Sequence, residues 1–143
     1  MSAQQQQGTL IVSLDEAKAI KYASSVSVLS ALYAIYTGNT ELAKIPFSVF
    51  CTSVLYWHWP TYGWRRNLDI INTQICLWWQ LYRAANSEYR VYYYSTKSIA
   101  ILLFGLGWVA AWNNRAWTGT VCHIGVHVVA NIANIILYSG KID

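Results

Sequence analysis

The few charged residues of this chain divide it into uncharged stretches of roughly the length needed to cross a bilayer. A helix requires about 17 to 25 mostly apolar residues to span a hydrocarbon core about 30 Å thick. Residues 22–40 separate Lys21 from Glu41, and residues 45–64 separate Lys44 from Arg65. Segments 98–114 and 116–140 contain no Asp, Glu, Lys or Arg, while segment 67–82 is shorter and carries Asp69 near its start. This spacing predicts an all-α fold, a polytopic transmembrane bundle of about five helices. The spans are expected near 22–40, 45–60, 67–83, 97–114 and 116–140, after a polar N-terminal tail at 1–20. Segment 22–40, with six serines or threonines, has the alternative of lying in the interface.

Composition supports the same class. Of 143 residues, 55% are hydrophobic and 11% charged, against about 25% charged in an average soluble domain. With 8 Trp and 11 Tyr the chain has too much apolar surface to stay disordered. Integral membrane localisation and a lipid bilayer as the main partner follow. The net charge of +4 forms no patch for nucleic acid, because the basic residues are spread over both expected faces. Lys18, Lys21, Arg65, Arg66 and Arg115 fall on the N-terminal side, and Lys44, Arg83, Arg90, Lys97 and Lys141 on the other. That tie leaves orientation open. Cys51, Cys76 and Cys122 lie inside apolar stretches and read as small buried hydrophobes. Trp57, Trp59, Trp64, Trp112 and Trp117 at one face, with Trp78, Trp79, Tyr82 and Tyr92 to Tyr94 at the other, have the placement of interfacial belts. Residues 1–20 lack the basic start and apolar core of a cleavable signal peptide.

Ionisable groups inside membrane spans are costly and mark functional or pairing positions. Here they are His58, Asp69, His123 and His127, all expected in one leaflet. His123 and His127 stand four apart, one turn along a shared helix face, a spacing that suits two imidazoles on one cation. Asn131 and Asn134 continue that strip. A third histidine and a carboxylate from neighbouring helices complete a three-nitrogen zinc site, in which a carboxylate orients the metal's water and takes its proton.

At these residues the sequence resembles the intramembrane hydrolase superfamily of alkaline ceramidases and adiponectin-type receptors. The stretches concerned are Ser53-Val-Leu-Tyr-Trp57-His58, then Asp69, then His123-Ile-Gly-Val-His127. The resemblance implies zinc held by His58, His123 and His127, Asp69 as the catalytic acid/base on the water, Ser53 as a polar helper near the oxyanion, and a lipid or amide substrate. The family spaces Ser and His four apart. In this chain Trp57 takes that position, and His58 is five from Ser53, about 500° of helical rotation. The family has seven spans, against about five here.

Other readings of the same residues stand beside it. Asp69 has Arg65 and Arg66 as ion-pair partners at a helix start. The asparagines serve equally as hydrogen-bonding links between helices. A non-catalytic structural or assembly subunit, packed with other membrane subunits, is the competing function, and two histidines on different helices also suit a haem iron.

Overall fold

The computed structural model describes residues 10–142; the glutamine run at 4–7 lies outside them. The described chain is helical throughout, with two isolated bridges, Leu10 to Thr61 and Ser87 to Ile142, in place of strands.

Helix α1 (Leu14–Ser24) is nucleated by a capping box, in which Ser13 and Glu16 bond each other's backbone N–H. Ser25 follows with φ −64° and ψ −19°, still helical, and α2 (Val26–Tyr36) continues directly. The Ser24 and Ser25 hydroxyls donate to the Lys21 and Tyr22 carbonyls, a back-bonding that bends helices. The two segments therefore form one bent rod. Gly38, at φ 81°, supplies the left-handed turn that ends this rod. Then come α3 (Thr40–Trp57), α4 (Trp64–Ala84), α5 (Arg90–Trp112) and α6 (Ala116–Ser139). The α3–α4 turn runs through Pro60 and Gly63, the latter at φ 143°.

The polar tail expected at 1–20 differs from the structure in its second half: α1 begins at Leu14 and buries Ala17 and Ile20. Likewise α5 begins at Arg90, well before the expected start at 97, so that Tyr93 and Lys97 lie inside the helix and are buried.

Helix α6 is the hub. It packs along α5 and against both halves of the bent rod, while α3 joins that rod to α4. Glycines set the α5–α6 approach: a Cβ on Gly119 would stand 3.2 Å from the Gly107 carbonyl oxygen, and one on Gly107 3.2 Å from the Cys122 Cβ. Small residues at such crossings let helix backbones come close.

Helices α5 and α6 are long and apolar enough to cross a membrane, and only 17% and 33% of their apolar windows are buried inside the bundle. A core helix of a soluble protein would be mostly covered. Polar side chains also lie inside, beside an apolar core. Ser27, Ser30, Gln80, Lys97, Asn131 and Asn134 are buried, whereas Leu29, Leu102, Leu106 and Val121 are exposed. Water-soluble folds bury such aliphatic side chains and expose lysines.

Candidate functional site

Two polar seams meet inside the bundle. The first lies between α3 and α4. Asp69, Asn72, Cys76 and Gln80 recur at spacings of three and four, so they share one face of α4. Asp69 Oδ1 accepts from Thr52 Oγ1 at 2.8 Å and from Ser53 Oγ at 3.0 Å. Asn72 Nδ2 donates to Ser48 Oγ and Thr52 Oγ1, each at 3.3 Å. The Ser48 hydroxyl and the Cys76 thiol lie 3.4 Å apart.

The second seam is the inner face of α6. Thr120 donates to the buried Glu16 carboxylate on α1. Next come His123 and His127, ring centroids 5.2 Å apart. Asn131 accepts from Ser30 Oγ and donates to Ser27 Oγ. The strip ends at Asn134 and Tyr138.

Lys97 joins the two seams. It is 5% exposed and its ammonium donates to Gln80 Oε1 at 3.2 Å, Asn134 Oδ1 at 3.1 Å and the Ala130 carbonyl at 3.5 Å. Three acceptors match three N–H donors. Its Nζ also stands 5.3 Å from the Tyr93 ring centroid. Gln80 Nε2 in turn donates to Tyr138 Oη, which donates to the Leu42 carbonyl. Helices α3, α4, α5 and α6 are thereby tied at one junction.

Of the residues singled out in the sequence, the structure brings together Ser53 with Asp69, and His123 with His127. His58 stands apart, exposed at the C-cap of α3. Its neighbour Trp57 is buried instead, one turn beyond Ser53, with its ring set against His123. Neither Trp57 Nε1 nor His127 Nε2 has a hydrogen-bond partner. Asp69 bonds the α3 hydroxyls, and among the described residues the one salt bridge is Lys44 to Glu41, so the alternative pairing of Asp69 with Arg65 or Arg66 is not formed. Those arginines fold over aromatic rings, Arg65 on Trp64 and Arg66 on Tyr62.

Among the described residues, no group of three or more His, Cys, Asp or Glu side chains is placed to hold a metal ion. In this arrangement the residues do not fit a zinc centre with three protein nitrogens, because the third position near His123 is an indole, which donates a hydrogen bond and offers no lone pair to a metal.

No family model matches this sequence, and no curated protein or solved structure matches it either.

Lys97, Gln80 and Tyr138 escaped the reading of the sequence. Lys97 looks there like a charge ending a span. The signal is Tyr93, Lys97 and Ala100 at helical spacing, the same residues that α5 buries.

Proposed function

We propose that this chain is an integral membrane bundle and a non-catalytic subunit, in which intramembrane polar residues hold helices together. The observation that carries the reading is Trp57 buried beside His123 while His58 faces outward. The mostly uncovered apolar windows of α5 and α6 and the buried Lys97 support its place in lipid. In hydrocarbon, polar side chains turned inward must satisfy one another, as Gln80, Lys97, Asn134 and Tyr138 do. Asp69 with Ser53 and His123 with His127 suit a degenerate relative of the intramembrane hydrolases that keeps the frame of the site without its third ligand. No hydrolysis of lipid or amide substrates is expected.

Metal analysis of protein purified in mild detergent tests the reading. Wild type is expected to hold well under one zinc per chain, and Trp57→His, which places a third imidazole next to the existing pair, to hold more. One zinc per wild-type chain, lost in both His58→Ala and His123→Ala, overturns it.

A further inference from the structure

Three arginines gather at the end of the bundle where α5 turns into α6. That turn, Asn113 to Arg115, joins the two helices long enough to cross a membrane. On the membrane reading, which this inference rests on, it stands at a bilayer surface. Trp112 and Trp117, on either side of it, are exposed by 82% and 57%, and indoles favour the headgroup level. The α3–α4 turn lies at the same end. Trp57, which closes α3, packs on His123 two turns into α6. The Pro60 carbonyl accepts from the Ile11 N–H just ahead of α1, and α1 is itself bonded through Glu16 to Thr120 near the start of α6. Arg65 and Arg66, in the first turn of α4, therefore share this end with Arg115.

Burial breaks the tie between the two ends that the Lys and Arg count leaves. At the opposite end Lys97 withdraws into the interior, Lys44 is paired with Glu41, and Glu88 is exposed beside Arg90 and Lys141. At the arginine end the acids withdraw instead. Asp69 bonds the Thr52 and Ser53 hydroxyls, and Glu16 bonds Ser13 and Thr120, which leaves Asp15 as the exposed acid there. Among the described residues Arg65, Arg66 and Arg115 have no carboxylate partner. Arg65 lies 5.6 Å from the Trp64 ring centroid and Arg66 5.4 Å from that of Tyr62. A guanidinium set against a ring presents a planar fork of donors that matches a phosphate group. We propose that this end binds the phosphates of anionic phospholipids. Tyr62, Trp64, Trp112 and Trp117, all exposed, continue the apolar walls of the spans up to the arginines, which suits a lipid headgroup with its chains below.

The test uses the full chain in lipid vesicles and compares quenching of tryptophan fluorescence by brominated phosphatidylglycerol and brominated phosphatidylcholine. Wild type is expected to favour the anionic lipid by about five-fold or more, the worth of one basic residue at an anionic surface. Molar salt should remove most of that preference. Arg65→Gln, Arg66→Gln and Arg115→Gln combined are expected to bring it below about two-fold. Lysine at the same three positions, which keeps the charge, should retain most of it, as should Arg83→Gln with Arg90→Gln at the other end. Equal quenching by the two lipids, a preference that survives the triple glutamine variant, or one lost equally in the double variant each overturns the proposal. Alkaline extraction of the same vesicles reports membrane insertion separately, so loss of the lipid preference and loss of the membrane reading are distinguishable.

Discussion

Trp57 meets His123 edge to face, ring centroids 5.1 Å apart with 69° between the planes, one helical turn beyond the Ser53 hydroxyl that bonds Asp69. The indole thus packs between the two halves of the polar interior. It acts there through its volume, because its N–H has no partner. Trp57→Phe, which discards that N–H and keeps an aromatic ring, is expected to cost less than about 1.5 kcal/mol. Trp57→Ala opens a cavity between α3 and α6 and is expected to cost about 3–5 kcal/mol. Thermal unfolding in detergent micelles distinguishes the two; equal losses would mean that the N–H contributes.

Lys97 makes a sharper case, because its charge and its partners have opposite consequences. Lys97→Met removes the desolvated charge but strands the Gln80 and Asn134 side-chain oxygens it bonds, and the two effects oppose each other. It is therefore expected to stay within about 1 kcal/mol of wild type. Asn134→Leu, which takes one of the three acceptors from the ammonium, is expected to cost about 1–3 kcal/mol. Combining the two should recover most of that loss, since residues in one network do not act additively. A double variant as unstable as the sum of the singles would show that Asn134 acts on something other than Lys97.

At the α3–α4 seam the carboxylate serves as an acceptor for two hydroxyls. Asp69→Asn keeps an acceptor oxygen and is expected to stay within about 1 kcal/mol of wild type, while Asp69→Leu strands the Thr52 and Ser53 hydroxyls at a cost of about 1–3 kcal/mol. Thermal midpoints of the pair check this order, and a reversed order contradicts the seam as described.

The α5–α6 crossing depends on the absence of side chains. Gly119→Val pushes a branched chain toward the Gly107 carbonyl, where even a Cβ would stand at 3.2 Å, and is expected to destabilise by about 1–3 kcal/mol, as overpacking does. Exposed Gly105, where a Cβ meets nothing within 4 Å, tolerates alanine. Unfolding of the two variants side by side reads the difference.

The number of rods was legible in the sequence because gaps between charges report helix length directly. Their ends were less legible. A Lys or Arg between apolar stretches looks like the end of a span, yet the Lys97 ammonium lies within α5 and is satisfied inside the bundle by residues from α4 and α6 far away in sequence. The start of α1 was readable in Ser13-Leu-Asp-Glu16, a capping box, but the polar composition around it concealed the helix. At the candidate site, spacing along one helix paired His123 with His127 correctly. Whether His58 or Trp57 turns inward is decided by the rotation of α3 against α6, and the buried faces of Tyr56 and Trp57 against Ala17 and Ile20 fix that rotation. The belt reading of the aromatics has the same flaw: Trp57 and Tyr93 are buried, whereas Trp64, Trp112 and Tyr92 are exposed.

The central claim is that the apolar exterior is covered by lipid and the polar seams are interior. Alkaline carbonate treatment of membranes from cells producing the full chain tests it most directly. The account predicts that the chain stays with the membrane pellet and enters solution only with detergent. Recovery in the supernatant as a monodisperse, detergent-free protein would contradict it.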